Sequence, residues 1–187
     1  MRIDVYNSEN VPEEVCRIVS TILFDAFEER RIQGINFKCG HFTPEDVKKE
    51  MKDNSFLFLA YTEDNIPVGT AMLKIRSKYG LKYGGYENLA VRSQYKGKGV
   101  AKLLFNERFK KAQSLDLDFL TSTTATQAFS SVQYHKKMGF IIYKKSYNRR
   151  MYNSYNYIYP LKRLKLLNVG LFRSIVYCLN TLIGIIR

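Results

Sequence analysis

The chain reads as an α/β (α+β) protein, a mixed and mostly antiparallel sheet flanked by helices, with an amphipathic helical extension at the C-terminus. Three observations carry that class. Short apolar runs bounded by turn residues alternate with segments whose apolar residues recur at helical spacing. A strand ending in Leu89, Ala90 and Val91 runs into a loop with Gly97 and Gly99 and then directly into a helix. Beyond residue 162 the alternation stops, and one amphipathic stretch follows. At 187 residues the chain fits one domain, residues 1–162, with residues 163–187 as an appendage.

In chain order, Ile3 and Val5 alternate with polar residues and predict a first strand. Pro12 opens a helix from about Glu13, with Val15, Ile18, Val19, Ile22, Leu23 and Ala26 at helical spacing. Residues 33–42 show no clear period; Phe37, His41 and Phe42 there read either as pocket lining or as packing. Thr43 as N-cap and Pro44 as first helical residue start a second helix that ends near Met51. Strands at 56–61 and 67–75 flank the turn residues Glu63, Asp64 and Asn65. Residues 76–85 read as a hairpin connection into a strand at 86–91. The helix from Gly99 to Ser114 places Val100, Leu104, Phe105, Phe109 and Ala112 on its buried side. A strand at 117–120, a helix at 126–138 and two strands at 140–147 and 152–161 complete the domain. Tyr155, Tyr157 and Tyr159 share a face of the last strand; packing of a half-buried sheet explains them more simply than base stacking.

The net charge of +13 is unevenly placed. Eleven Lys and Arg and no Asp or Glu follow residue 118, which leaves +2 for everything before it. Such a field suits nucleic acid, an anionic membrane, an acidic protein or the phosphates of a nucleotide cofactor. The three cysteines are far apart and form no C-x-x-C pair, which points to free thiols in a reducing cytosol and away from disulfides or a zinc site. The N-terminus carries no apolar signal region, so a cytoplasmic location is expected.

A strand that delivers a glycine turn to a helix start gathers unpaired N–H groups and the positive end of the helix dipole at one point, which suits an anion. The turn is neither a Walker loop nor a G-x-G-x-x-G fingerprint. The run L-A-V followed by Gln94, Gly97 and Gly99, then Val100, Ala101 and Leu103, resembles motif A of the GNAT superfamily of N-acetyltransferases. Tyr134 to Phe140, Y-H-K-K-M-G-F, is similar to motif B of the same family, and Gly139 suits a left-handed helix cap. The resemblance covers about residues 3–162.

It implies a GNAT fold and direct attack of an amine on the thioester of acetyl-CoA, with CoA as product. The implied cofactor residues are Leu89, Ala90, Val91, Gln94, Tyr95, Lys96, Gly97, Lys98, Gly99, Val100 and Ala101. Within that set, N–H groups of about Tyr95 to Val100 hold the pyrophosphate and Lys96 and Lys98 add charge, while Ala90 and Val91 lie where the thioester carbonyl is polarised. No metal is implied. Four residues before the motif B glycine the family usually has a tyrosine that protonates the leaving thiolate; here that residue is His135. The register predicts that His135 faces the sulfur and Tyr134 packs inward; a helix histidine bonded to a neighbour is the other reading. Glu87 lies where several relatives place a base. Alternation puts it on the face of Leu89 and Val91, an apolar setting, and a surface or salt-bridged role is equally open. Ala128 stands where an asparagine commonly holds the pantetheine arm, and Ser122, Thr123, Thr124 or Ser130 are candidates for the missing hydrogen bond.

After Lys162, Leu164, Leu167, Leu171, Ile175, Cys178, Leu182 and Ile185 fall on one side of a helix, behind a Lys162, Arg163, Lys165 cluster. Arg173 within the stretch costs ~3 kcal/mol on insertion scales, which disfavours a spanning helix. An interfacial membrane helix, a dimerisation or partner helix and a helix folded back on the domain stay open. The expected activity is acetyl transfer from acetyl-CoA to a small-molecule or protein amine. The alternatives are a non-catalytic CoA-binding or regulatory module, and a nucleic-acid-associated protein using the basic, Tyr-rich C-terminal region, the less favoured of these.

Overall fold

In the first part of the chain, segments rich in apolar residues pair edge to edge in the order in which the chain makes them. The computed structural model describes residues 1–51, 54–78, 80–148 and 152–162, and the chain forms two compact units, Met1–Leu117 and Asp118–Arg187. In the first unit β1 (Arg2–Asn7), β2 (Ser55–Tyr61), β3 (Pro67–Lys78) and β4 (Leu81–Val91) pair successively, each antiparallel to the next. The hairpin connection expected at 76–85 is strand for most of its length, with Arg76 opposite Tyr83 and Lys78 opposite Leu81. Its residues are polar because the ribbon's tip buries no face, so the alternation that marks a strand is missing there.

Helix α1 (Glu13–Ala26) follows Pro12 and carries Glu13 and Glu14 in its first turn, where they complement the dipole. Its buried residues, Val15, Cys16, Val19, Ile22 and Leu23, form one core with Phe42, Val47, Met51, Leu57, Leu59, Met72 and Ala90. α2 (Glu28–Ile32) and a 3₁₀ turn at Lys38–His41 occupy the stretch without period. Of the three residues singled out there, Phe42 joins the core, Phe37 packs on Phe27 at 5.2 Å between centroids, and His41 lies exposed with Nε2 2.6 Å from Asn36 Oδ1. α3 (Pro44–Glu50) starts as expected. Asp46 N–H donates to Thr43 Oγ1 at 3.2 Å and Thr43 N–H donates back to Asp46 Oδ2 at 3.1 Å, a capping box.

On the opposite face of the sheet α4 (Val100–Ser114) buries Val100, Leu104, Phe105 and Ala112. The fifth buried position is Arg108, not Phe109, which is half-buried and stacks on Phe105 at 5.8 Å. Gly69 sets how close this helix lies: a Cβ there would stand 2.9 Å from Val100 Cγ1 and 3.1 Å from the Ala90 carbonyl oxygen. Gly69→Ala is expected to destabilise by about 1–3 kcal/mol through overpacking, read as a lower urea midpoint with an unchanged slope.

In the second unit β5 (Phe119–Ala125), β6 (Ile141–Asn148) and β7 (Tyr152–Pro160) pair antiparallel with β7 in the middle. β5 is longer than the expected 117–120 because its Thr and Ser residues pair without an apolar pattern. α5 (Phe129–Lys137) starts three residues later than expected, since Thr126 N–H is taken by Asn153 O at 2.9 Å. It ends in a Schellman motif: Phe140 N–H donates to His135 O at 3.0 Å and Gly139 N–H to Lys136 O at 3.1 Å, with Gly139 at φ +84°. The Tyr-rich face of β7 is packing, with Tyr157 buried and Tyr159 5.5 Å from Phe140 between centroids. The predicted extension at 163–187 and the Arg149–Arg150 pair lie outside the described residues. Among the described residues no helix is long and apolar enough to cross a membrane.

Candidate active site

The predicted site residues divide between the units: Glu87 and the glycine turn belong to the first, His135 to the second. Beyond β4 the chain makes a 3₁₀ turn at Ser93–Tyr95 and then turns twice through the left-handed region, at Gly97 (φ +79°) and Gly99 (φ +82°). Added Cβ atoms at these glycines would meet no protein atom within 4 Å, so backbone conformation rather than packing requires them. Gly99 is the N-cap of α4 and no side chain caps the helix.

The N–H groups of the turn are not equivalent. Those of Tyr95, Lys96 and Lys98 close local turns on Arg92, Ser93 and Tyr95 carbonyls at 2.9, 3.2 and 3.4 Å. Those of Gly97, Gly99 and Val100 bond to no other described residue. The expected span of donors therefore narrows to these three, at the positive end of a helix of 15 residues. Gln94, Lys96 and Lys98 are exposed. Lys96 Nζ lies 2.8 Å from Glu29 Oε2 on α2, and that hydrogen bond holds the Glu29 carboxyl below its ordinary range. Lys98 Nζ stands over the Tyr95 ring at 5.0 Å. Ala90 and Val100 are buried, whereas Leu89, Val91, Tyr95 and Ala101 are half-buried.

Glu87 does not lie on the face that alternation predicts. Met72 stands opposite Glu87 and Thr70 opposite Ala90, so β4 carries one residue more than β3 between the two pairs. This is a β-bulge, with Asn88 at φ +51° and its Nδ2 3.2 Å from Met72 Sδ. Met72 and Thr70 share a face of β3, so Glu87 shares its face with Ala90 and not with Leu89 and Val91. That face is the one α1 and α3 cover.

Nor is the setting apolar. Lys74 Nζ lies 3.3 Å from Glu87 Oε2 and also binds Glu50 of α3, while Arg76 binds Glu87 Oε1. A Cβ on Gly85 would collide with the Arg76 guanidinium, so that glycine clears its path. Glu87 is thus the salt-bridged strand residue that the sequence left open. Burial raises the Glu50 carboxyl, but Lys74 and then Lys38 outweigh it, and the net direction is down from 4.5. A depressed folded value contributes stability that is fully present above about pH 4.5 and is lost as pH falls below it. Glu50→Gln is expected to flatten the urea midpoint against pH below that value.

His135 is 7% exposed and Tyr134 is the half-buried neighbour, the reverse of the expected packing. His135 is the third residue from the helix end, where a Schellman motif brings it against Phe140, and their centroids are 5.3 Å apart. The Tyr157 ring stacks on the imidazole at 4.3 Å and 15°. Nδ1 lies 2.7 Å from the Ser131 carbonyl oxygen and Nε2 2.8 Å from Ser122 Oγ. A carbonyl only accepts, so Nδ1 carries the hydrogen and, in the neutral ring, Nε2 accepts from the Ser122 hydroxyl. Burial and the neighbouring Tyr155 raise the Tyr157 phenol. Ala128 is 1% exposed just before α5. Of the four hydroxyls considered in its place, Ser122 serves His135, and Thr123 Oγ1 reaches Asn156 Oδ1 at 3.3 Å.

Sequence reasoning missed Ser122, Lys74 and Glu50 as neighbours of the two named residues. Only the His135 to Ser131 bond had a sequence signal, the four-residue helical spacing.

Residues 21–140 match the family model described as the acetyltransferase (GNAT) family. No curated protein sequence matches the chain. Among solved structures, the ribosomal-protein-S18-alanine N-acetyltransferase from Escherichia coli is similar with TM-score 0.68 at 10% identity, over 89% of this chain and 99% of that one. An acetyltransferase of the GNAT family from Streptococcus pneumoniae gives 0.66 at 16%, over 86% and 100%. A chain of the NatC complex bound to Gag peptide and CoA gives 0.63 at 18%, over 87% and 100%.

Proposed function

The chain belongs to the GNAT acetyltransferase family, and from that membership we propose that it transfers an acetyl group from acetyl-CoA to a primary amine by direct attack, with CoA as product. The observation that carries this reading is the glycine turn, where three N–H groups that bond to no other described residue lie at the start of α4. That turn takes the pyrophosphate, with Lys96 and Lys98 beside it. Ala90 and Val91, which follow the bulge, lie where the thioester carbonyl is polarised. Glu87 takes the proton that an ammonium must lose before it attacks, and His135 gives a proton to the departing thiolate. The acceptor is an amine of a small molecule or of a polypeptide, two structural neighbours being one enzyme of a ribosomal protein and one complex with a bound peptide.

Calorimetry with acetyl-CoA and CoA, followed by CoA release against amino sugars, amino acids, polyamines and peptide N-termini, tests the proposal. Absence of both binding and release sinks it. Gly99→Ala places a Cβ in the left-handed region at a cost of ~1–2 kcal/mol, so CoA is expected to bind about tenfold more weakly. The engaged ring nitrogens of His135 favour a second reading, a CoA-binding module without turnover. Tight CoA binding with no release across the whole panel would select it. A cytoplasmic location, and a domain ending near residue 162, belong to the same proposal.

A further inference from the structure

The β3–β4 ribbon carries charge that its backbone pairing does not require. Residues 74–86 hold Lys74, Arg76, Lys78 and Lys82 and no Asp or Glu. The register sorts them by face. Outward from Met72 opposite Glu87 come Lys74 opposite Gly85, Arg76 opposite Tyr83 and Lys78 opposite Leu81, all on the Glu87 face, whereas Lys82 stands opposite Ser77 on the other. Two strand residues advance about 7 Å, so the three cations follow the Met72 and Glu87 pair at roughly 7, 13 and 20 Å along the ribbon.

Their exposure grows outward. The Lys74 side chain is 16% exposed and shared between Glu50 and Glu87, that of Arg76 is 42% exposed, and Lys78 is exposed. Arg76 crosses the bare backbone of Gly85 to reach Glu87. A guanidinium has more N–H donors than one carboxylate takes, and among the described residues the Arg76 side chain bonds to Glu87 alone. An amine reaches Glu87 as an ammonium, and two cations already flank the carboxylate. Their field repels a bare alkylammonium and favours an acceptor that brings negative charge of its own.

We propose that the acceptor is the N-terminal amine of an acidic polypeptide, which lies extended along the ribbon with carboxylates beside Arg76 and Lys78. The proposal rests on the reading of the chain as an acetyl-CoA-dependent transferase with its base at Glu87. In that reading Ala90, Val91 and the glycine turn belong to the cofactor, so an acceptor chain whose amine stands at Glu87 leaves toward the ribbon tip. An extended polypeptide advances about 3.3 Å per residue, the same step as the strand it follows. With its first residue at Glu87, roughly its third, fifth and seventh residues fall beside Lys74, Arg76 and Lys78. Lys74 already serves two carboxylates, so the positions read are the fifth and seventh. A nucleic acid suits the same cations but offers no alkylammonium for Glu87 to deprotonate.

The test measures CoA release by the full chain with peptides that carry Ala, Ser or Met at the first position and Glu, Gln or Lys at both the fifth and the seventh. Exposed ion pairs contribute about threefold each, so kcat/KM for the Glu set is expected to exceed that for the Gln set by about tenfold, mainly through KM, with the Lys set lowest. Screening at about 0.5 M salt should close the gap. Arg76→Gln and Lys78→Gln should each cut the Glu-to-Gln ratio about threefold, and the Arg76→Gln/Lys78→Glu double variant should abolish it. Any effect of Arg76 on the chemistry at Glu87 is felt by both peptide sets and cancels in the ratio. Equal kcat/KM for the Glu and Gln sets overturns the proposal, as does a Glu preference that survives in the double variant. Stronger inhibition by poly(U) than by poly-L-glutamate of equal charge overturns it in favour of a nucleic-acid surface. A chain that acetylates small amines and none of the peptides overturns it and leaves the transferase reading standing, whereas a chain that neither binds CoA nor releases it with any acceptor ends both.

Discussion

Replacing Glu87 with glutamine is expected to lower kcat for an alkylammonium acceptor by about 100-fold, the usual scale of a lost general base. The substitution keeps the shape and one acceptor oxygen for Arg76. Lys74 keeps its second partner, Glu50, so the ion-paired frame survives. What disappears is the carboxylate proposed to receive the ammonium proton. Two further readouts separate this from a general disturbance. CoA affinity should not change, because the N–H groups of Gly97, Gly99 and Val100 lie on a different segment. Hydroxylamine, which arrives without a proton to lose, should be acetylated at nearly the wild-type rate. An equal loss with both acceptors would assign Glu87 to the frame rather than to the chemistry.

The largest stability effect is expected at Arg108. The side chain is 1% exposed; Nε donates to Leu104 O at 3.3 Å, Nη1 donates to Met72 O at 3.4 Å, and the guanidinium lies over Tyr86 at 4.0 Å. Arg108→Ala removes all three interactions and opens a cavity between α4 and the sheet, a combined cost of about 4 kcal/mol by comparison with large-to-small core changes. Arg108→Met refills most of the volume without a buried charge and should cost less than half as much. Urea unfolding of the two variants measures the difference. Because Met72 stands opposite Glu87 at the edge of the bulge, Arg108→Ala should also lower turnover in whatever fraction remains folded.

The helices were legible wherever one face is apolar and the start is marked. Pro12 with Glu13 and Glu14, and Thr43 with Asp46, fixed two N-termini because capping is local chemistry. The ends of β3 and β4 were not legible, since residues 76–78 and 81–83 lie on a ribbon whose pairing is all backbone. Arg108 escaped because its burial follows from what the sheet presents, not from its own hydropathy. At the site, the spacing from His135 to Gly139 and Phe140 was readable and has a structural cause in the Schellman motif. Which of Tyr134 and His135 turns inward was not, because a 100° step on a short helix needs the neighbouring strand as reference. Ser122 lies 13 residues from its partner, and no local rule joins them.

The extra residue at Asn88 makes the aim of Glu87 a matter of parity. A strand side chain has two directions, and a count of residues, odd or even, chooses between them. Between Ala90, anchored opposite Thr70, and Glu87, opposite Met72, the count has been changed by one. Loss of the Asn88 codon would straighten the strand and leave Glu87 opposite Met72 on the face it now has, whereas regular pairing at the present length would turn the Glu87 carboxylate through to the side where α4 lies. At this length the aim of Glu87 depends on the bulge, and the bulge depends on a backbone at φ +51° at Asn88. Variation at Asn88 should therefore favour residues that tolerate φ +51°, such as asparagine and glycine, over β-branched ones.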